Sequence, residues 1–331
     1  VGVKDYNGNF ATANLTIGRN GSAINGGSAA DVVISTAGAS IFLVYVDATQ
    51  GWVATQDDSS VFSGESFISA TGGSITESGD FKIHTFTGPG SFAVSSIASC
   101  APNNEVSYIV VGGGAAGQTK NNSQPATNRK YAQAGGGAGG FREKKSGVDT
   151  YTASPLNGAT PITVTAASFP ITVGGGGSAP SIPSSDTVSG SGNPSSFAAS
   201  TTITSAGGGG AGYSSCSGPN SHAGIAGGSG GGSSTYNAVG AGNTPPVSPP
   251  QGNPGSQSND SASTSGGGGG GATAAGGAVI AQPSPRNNTG GAGGAGATTN
   301  ITGSPVAYAG GGGGAASYPN DPEAGAVVGG A

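Results

Sequence analysis

The arrangement of glycine along this chain leaves few folds open to it. Of the 331 residues, 69 are glycine, about three times the ordinary share, and most of them fall in short runs within 112–331. Such runs cannot build a helical bundle or a large aliphatic core, because glycine has no side chain to bury. The runs occupy 112–117, 135–140, 174–177, 207–212, 224–232, 266–277, 290–296, 310–314 and 325–330.

Two structures are compatible with runs of this kind. Gly/Ser-rich segments are usually flexible linkers, but here the other residues are regularly placed, and in 290–296 alanine stands at every third position. A three-residue period is that of an extended helix whose backbone groups need partners in neighbouring helices. We therefore predict a bundle of stacked polyglycine-II helices with long connecting loops, with 266–271 at its centre and 290–296 at its edge.

Residues 1–111 show a different pattern, in which short β-branched and aromatic stretches are separated by turns such as Asn-Gly and Gly-Gly. No window carries the apolar stripe of an amphipathic helix. The sequence therefore predicts all-β N-terminal modules and essentially no α-helix. We expect a first β module at 1–58, a second small β module at 59–111 and the glycine-rich domain at 112–331.

Composition argues against several classes of function. The longest strongly apolar run, 41–46, is far short of the ~20 residues that a membrane-spanning helix needs. The net charge of −5 and the pI near 4.8 argue against nucleic acid as a partner. Neither His84 nor His222 has neighbours at metal-ligand spacing, and the Gly-x-Gly-x-x-Gly at 112–117 lacks the following helix that nucleotide binding requires. We predict no catalysis, no metal and no cofactor.

The two cysteines, Cys100 and Cys216, leave two alternatives open. A single bridge between them and two separate thiols are both compatible with the sequence. Two thiols is the simpler interpretation, since one pair of cysteines does not make a disulfide framework.

Four stretches of the chain resemble known proteins. The succession GDFKIHTFTG at 79–88 and VSYIVVGGG at 106–114, followed by spaced glycine runs, resembles the glycine-rich domain of tail fibres and adhesins of tailed bacteriophages. The stretches NLTIGRNG at 14–21 and LVYVDATQGW at 43–52 are similar to a repeat in structural proteins of marine phages, notably those of cyanobacteria.

This resemblance implies both a fold and a function. Adhesins at the tips of the long tail fibres of T-even-type phages carry a sandwich of stacked polyglycine-II helices whose end loops contact the host receptor, and fibre shafts are generally homotrimers. For this chain the resemblance implies a virion tail-fibre protein that acts outside the cell beside other virion tail proteins. Its partner would be a bacterial cell-surface receptor, either an outer-membrane protein or lipopolysaccharide.

Antiparallel order of successive runs would sort the connectors between two ends of the bundle. One end would receive 118–134, 178–206, 233–265 and 297–309, and the other 141–173, 213–223, 278–289 and 315–324. The first set is longer overall, so we predict that it forms the receptor face. An extra crossing at 252–255, where the sequence is Gly-Asn-Pro-Gly, would reverse the ends of everything after it. Basic and aromatic residues dominate binding hot spots, and the expected anchors are Lys120, Arg129, Lys130, Tyr131, Phe197 and Tyr236.

In each of the first eight runs one glycine is predicted to stand where neighbouring backbones touch. These structural glycines are Gly112, Gly136, Gly175, Gly208, Gly228, Gly268, Gly291 and Gly312.

Two other functions are compatible with the sequence. A purely structural virion fibre or decoration protein would need no receptor. An ice-binding protein would also use polyglycine-II helices, but with short uniform connectors and a flat face, and the 33-residue connector 233–265 argues against it.

Overall fold

A computed structural model divides the chain into two compact units, Val1–Ser69 with Ser95–Asn104 and Ala70–Val94 with Glu105–Ala331. These units do not coincide with the three predicted segments, whose boundaries at 58/59 and 111/112 stay predictions. The structure describes residues 1–24, 31–55, 63–64, 67–98, 100–118, 133–180, 188–213, 222–234, 238–258, 265–280 and 289–316.

Within these residues the helices are two short 3-10 turns, Asn9–Ala11 and Ala101–Asn104. The all-β prediction is therefore confirmed, and no described helix is long and apolar enough to cross a membrane. The strands are β1 (Gly2–Lys4), β2 (Leu15–Ile17), β3 (Val32–Ile34), β4 (Ser40–Asp47), β5 (Gly51–Ala54), β6 (Ser63–Gly64), β7 (Ser69–Thr71), β8 (Ser74–Ser78), β9 (Phe81–Thr85), β10 (Gly90–Ser96), β11 (Glu105–Val106), β12 (Tyr108–Val111), β13 (Phe141–Lys144), β14 (Ile162–Thr163), β15 (Ser168–Thr172), β16 (Ser195–Ala198), β17 (Thr202–Ser205), β18 (Ala297–Thr299) and β19 (Val306–Tyr308).

In the first unit, two three-stranded antiparallel sheets, β1-β4-β5 and β2-β3-β6, share one core. The pattern of β4 shows how the sequence builds it. Ile41 and Leu43 are buried while Phe42 and Val44 are exposed, because successive side chains of a strand point to opposite faces. The buried cluster consists of Ile24, Val32, Ile34, Ala39 and Ile41.

The second unit contains the remaining sheets and the glycine-rich region. A five-stranded sheet has the order β17-β16-β15-β10-β7, and β8-β9, β11-β14, β12-β13 and β18-β19 form two-stranded sheets. β12 pairs with β13 so that Val111 lies opposite Phe141. Glycine-rich chain leaves β12 immediately after the first of these residues and enters β13 immediately before the second.

Beyond the strands, glycine-rich segments bond to one another and not within themselves. Gly112 N–H donates to the Gly140 carbonyl at 3.0 Å, and Ala115 N–H donates to the Gly137 carbonyl at 2.9 Å. Bonds between the same two segments recur at every third residue, which is the period of the polyglycine-II helix. Thirteen such segments lie in the described residues: A (112–118), B (133–140), C (173–180), D (188–194), E (206–213), F (222–227), G (228–234), H (238–243), I (251–258), J (265–272), K (274–280), L (289–296) and M (309–316).

Segment J, which contains the unbroken run 266–271, is central. Its backbone bonds to six other segments, B, G, I, K, L and M. Segment L, with alanine at every third position, bonds among the described residues only to J, K and M. The sequence-based placement of these two runs at the centre and at the edge is confirmed.

Glycine is required in the bundle where a side chain would meet a neighbouring backbone. A Cβ at Gly268 in segment J would lie 1.8 Å from the carbonyl oxygen of Ala292, and a Cβ at Gly291 would lie 1.9 Å from that of Gly277. Both distances are far inside van der Waals contact. The packing of backbone against backbone therefore depends on the missing side chain.

The other six glycines chosen from the sequence fall into two groups. A Cβ would lie only 2.1 to 2.6 Å from a neighbouring backbone atom at Gly112, Gly136, Gly208 and Gly228. At Gly312 the nearest atom would be 3.2 Å away, and at Gly175 it would be the side-chain nitrogen of Asn193, at 3.9 Å. Gly175 thus has room for a methyl group among the described residues.

Replacing Gly268 with alanine is expected to lower the free energy of unfolding by about 1–3 kcal/mol or more, because the added methyl group forces two packed backbones apart. Calorimetric unfolding of the full chain measures the loss. Gly175→Ala is the matched control and is expected to be neutral or to stabilise by about 0.4–1 kcal/mol, since it restricts the unfolded chain without a clash. Equal losses in both variants would contradict the packing argument.

Candidate functional site

The connections between segments are divided between two ends of the bundle. At one end, called the sheet end, strands and short turns join the segments: 141–172, 195–205, 227–228, 244–250, 273 and 297–308. At the opposite end, called the loop end, every connection runs through residues outside the described part: 119–132, 181–187, 214–221, 235–237, 259–264 and 281–288. Segment M also finishes at the loop end, so that 317–331 leave from there.

Backbone hydrogen bonds hold the segments together where they reach the loop end. Tyr213 and His222 exchange two such bonds, of 3.0 and 2.6 Å, and Ile280 and Thr289 exchange two of 3.3 Å. Further bridges there join segment G to J, J to M and B to M. The connections 214–221 and 281–288 thus each begin and end at adjacent, bonded residues.

Charge is divided between the segments and their connections. The thirteen segments contain no Asp, Glu, Lys or Arg. The connection 119–132, by contrast, contains Lys120, Arg129 and Lys130 and no acidic residue. An uncharged backbone frame therefore carries a basic connection at its loop end.

Five of the six predicted receptor anchors lie outside the described residues and stay predictions: Lys120, Arg129, Lys130 and Tyr131 within 119–132, and Tyr236 within 235–237. Both stretches are connections of the loop end. The sixth anchor, Phe197, is in β16 at the sheet end and is only 6% exposed. Its prediction as a receptor anchor is wrong, because a ring buried to this degree is not available to a receptor.

Phe197 is instead the centre of an aromatic cluster. Its ring centroid lies 6.3 Å from that of Phe92, 6.2 Å from that of Phe169 and 6.0 Å from that of Tyr108, each in an edge-to-face arrangement. His84 meets Phe92 edge-on at 5.0 Å. Such pairs are favourable beyond the area they bury. The signal in the sequence was the alternation along β16 and β17, which buries Phe197 opposite Ile203.

The predicted sorting of connectors by end is wrong in part. Connector 297–309 forms β18 and β19 at the sheet end, not at the end of 118–134. Connectors 213–223 and 278–289, expected at the opposite end, leave from the same loop end as 118–134. The receptor face that was predicted from the antiparallel order of successive runs therefore combined connections from both ends of the bundle.

Extra crossings of the bundle caused this error. Connector 178–206 contains segment D, connector 233–265 contains segments H and I, and the runs 224–232 and 266–277 each fold into two antiparallel segments. Segments D and H each bond to only three others among the described residues. The outward faces of D and H therefore have room for side chains. Because these two segments contain fewer glycines, they are not recognised as glycine runs in the sequence.

A buried carboxylate fastens the sheet end. Glu143 is fully buried, and its Oε1 accepts hydrogen bonds from the Thr299 hydroxyl at 2.6 Å and from the Tyr151 hydroxyl at 3.2 Å. Its Oε2 accepts from the Ser154 backbone N–H at 2.9 Å. These bonds tie β13, the chain that follows it and β18 to one point.

A buried amide makes a second fastening. Gln251 is 1% exposed, and its Oε1 accepts from the Ala206 N–H at 2.8 Å while its Nε2 donates to the Pro245 carbonyl at 2.7 Å. Its backbone carbonyl accepts from the Phe141 N–H at 2.8 Å. Glu143 and Gln251 therefore fasten the sheet end through buried side chains whose hydrogen bonds are satisfied.

The described residues offer no metal site: no group of three or more His, Cys, Asp or Glu side chains is placed to hold an ion. His84 donates from Nδ1 to the Gly72 carbonyl at 2.8 Å. Cys100 is half-buried and forms no disulfide with described residues. Cys216 lies outside the described residues.

Comparison with known protein families places the glycine-rich part of the chain in a family. A family model described as a glycine-rich domain matches residues 87–331. The match takes in β10, the later strands of the second unit and all thirteen segments. No curated protein and no solved structure matches the chain.

Replacing Thr299 with valine is expected to lower the free energy of unfolding by about 1–3 kcal/mol. The variant loses the hydrogen bond from the Thr299 hydroxyl to the Glu143 carboxylate, while the carboxylate itself stays buried. Thermal unfolding measured by calorimetry tests this. The control is Thr298→Val on the same strand, where the side chain is exposed, with an expected change within about 0.5 kcal/mol. Similar changes in the two variants would contradict the role given to Glu143.

Tyr108 is expected to make stability depend on pH in the alkaline range. Burial raises its pKa to about 12, Arg142 opposes this and Glu105 adds to it. A raised pKa means that the folded state holds the phenol proton more tightly than the unfolded state. The contribution is thus complete below about pH 10, the unfolded value, and is lost as pH rises towards 12. The difference in absorbance at 295 nm between the unaltered chain and the Tyr108→Phe variant should titrate with a midpoint near pH 12. A midpoint near pH 10 would contradict this prediction.

Proposed function

We propose that this chain, which belongs to the glycine-rich domain family through residues 87–331, is a virion tail-fibre protein. Its loop end would bind a receptor on the surface of a bacterial host. One observation carries the proposal. The segments that flank 119–132, 181–187, 214–221, 235–237, 259–264 and 281–288 all end on the same side of the bundle, where backbone hydrogen bonds join several of them.

Binding sites are commonly placed on loops that a rigid scaffold positions. In this chain the connections 214–221 and 281–288 are held at both of their ends, which reduces the conformational entropy that binding has to remove. The frame beneath them depends on backbone packing, so the sequence of a connection can change without changing the frame. This separation suits a protein that must recognise a particular surface.

The charge of the longest loop-end connection, 119–132, favours an anionic surface as target. Lys120, Arg129 and Lys130 within 119–132 can pair with phosphate groups of lipopolysaccharide or with acidic loops of an outer-membrane protein. Tyr131 and Tyr236 supply the aromatic contacts that binding hot spots favour. The proposed receptor contacts are these five residues.

The proposal also includes the context that the sequence resemblance implies. The protein would belong to the virion, act at the host surface and be attached to other tail proteins. Association into a homotrimer would place three loop ends side by side, and multivalent contact would raise the avidity for a repetitive surface.

Binding to whole cells tests the proposal directly. The labelled chain is mixed with a panel of host bacteria, beside a variant in which 119–132 is shortened and a control in which the turn 300–304 between β18 and β19 is shortened. Saturable binding should survive in the control and fall at least about tenfold in the first variant. Charge pairing at Lys120, Arg129 and Lys130 also predicts weaker binding as salt is raised.

Three results would overturn parts of this proposal. Equal binding by the two shortened variants would move the receptor site away from the loop end. Loss of binding in the control alone would place the site at the sheet end. No binding to any host that the parent virion infects would instead favour a structural fibre protein without a receptor of its own.

A further inference from the structure

Arg142 is a buried cation at the sheet end of the bundle. It lies on β13, directly opposite Val110 of β12, and only 7% of its surface is exposed. Arginine is almost never buried to this degree unless its charge is paired, because taking an unpaired ion out of water is costly. A guanidinium in this position therefore calls for an anion beside it.

No described carboxylate supplies that anion. Glu143 is the next residue of the strand, but it points to the opposite face and its oxygens accept the hydrogen bonds of the buried network at the sheet end. Glu105 pairs with Lys144 at 3.5 Å, and Asp149 accepts a hydrogen bond from a serine hydroxyl. In the described part of the chain, Arg142 has no acidic partner.

The phenol of Tyr108 does not supply the anion either. It interacts electrostatically with Arg142, but burial raises its pKa to about 12, so that it is neutral at pH 7. Its hydroxyl donates instead to the Thr160 carbonyl at 2.6 Å. Burial lowers the pKa of the guanidinium, and Tyr108 opposes this, yet arginine stays protonated in proteins at neutral pH. The positive charge thus remains without compensation.

The hydrogen bonds of the guanidinium are as incomplete as its charge pairing. Nη2 of Arg142 donates to the Ser248 carbonyl at 3.2 Å. Nε is buried and has no partner. Nη1 has no partner among the described residues either, but unlike Nε it is not closed off from solvent. Buried polar groups in folded proteins are nearly all paired, so these free donors are a second indication of a missing acceptor.

The free donors lie close to the protein surface. Ser248, whose carbonyl holds Nη2, is exposed, and it belongs to the turn 244–250 that joins segments H and I. The same turn is fixed against the chain after β13, since a Cβ at Gly158 would lie 3.1 Å from Cγ of Pro249. Arg142 is therefore held beneath one ordered, exposed turn, where a small ion can approach Nη1.

From this geometry we propose that Arg142 and the turn 244–250 form a binding site for a small oxyanion, either a phosphate or a carboxylate group. Such a group accepts N–H bonds from a guanidinium in a matching fork and neutralises its charge. The site goes beyond the receptor proposal, because it lies at the sheet end and involves none of the loop-end connections.

An NMR titration of the unaltered full chain tests the site directly. Inorganic phosphate is added at constant ionic strength, with chloride as the reference anion. The side-chain N–H signals of Arg142 and the amide of Ser248 should shift saturably. Acetate and methyl phosphate are titrated in the same way. A stronger response to acetate assigns a carboxylate group, and a response to methyl phosphate equal to that of inorganic phosphate assigns a phosphate carried on a larger molecule.

Two variants separate a specific site from general attraction by positive charge. Arg142→Gln removes the guanidinium and should weaken phosphate binding at Ser248 at least about tenfold. Lys145→Gln is the matched control, because it removes the same charge from a half-buried residue of the adjoining chain, whose Nζ lies 5.6 Å from the centre of the Tyr151 ring. It should leave the affinity within about twofold.

The proposal is overturned if none of the three anions shifts the Arg142 and Ser248 signals saturably, or if Lys145→Gln weakens binding as much as Arg142→Gln does. The titration of the unaltered chain decides this even if Arg142→Gln does not fold. Shifts confined to Lys120, Arg129 and Lys130 would also overturn the site, because they would place anion binding at the loop end. Host binding should be unchanged in Arg142→Gln, so failure of this site and failure of the receptor proposal are distinguishable.

Discussion

The whole glycine-rich region depends on one constraint: an extended backbone with three residues per turn cannot satisfy its own N–H and C=O groups. Each segment must therefore find its partners in other segments, at distances that leave no space for side chains. The 1.8 Å between a hypothetical Cβ at Gly268 and the Ala292 carbonyl shows how little space remains. Ordering so much glycine has a high entropic cost, and each backbone hydrogen bond offsets only a part of it. The segments are consequently stable together or not at all.

A structure of this kind has little apolar core to close it, so its ends have to be fastened in other ways. At the sheet end the closure is concentrated in a few side chains. The ring of Phe197 packs edge-to-face against three other aromatic rings. The carboxylate of Glu143, on β13, accepts a hydrogen bond from Thr299, on β18. Each of these contacts connects chain that is far apart in sequence. These contacts hold strands from distant parts of the sequence together at the sheet end.

At the loop end the described structure consists of the ends of the segments, and the connections 119–132 and 214–221 lie outside it. Charge follows this division, since the thirteen segments contain none and the basic residues Lys120, Arg129 and Lys130 stand in a connection. Membership of the glycine-rich domain family accounts for the frame. Receptor binding at the loop end remains the proposal that this frame makes attractive.

The sequence alone determined the all-β class and the polyglycine-II bundle, because a three-residue period and the absence of side chains admit no other ordered structure. It also placed 266–271 at the centre and 290–296 at the edge, since a regular row of alanine side chains needs a face that no neighbouring segment covers. The number of crossings could not be predicted, because edge segments such as D and H tolerate side chains and carry no glycine signature. Phe197 was misplaced for a related reason: whether an aromatic ring in a connector is exposed depends on which strands pack over it. Topology and burial were decided only by the tertiary structure, since both depend on neighbours that are distant in sequence.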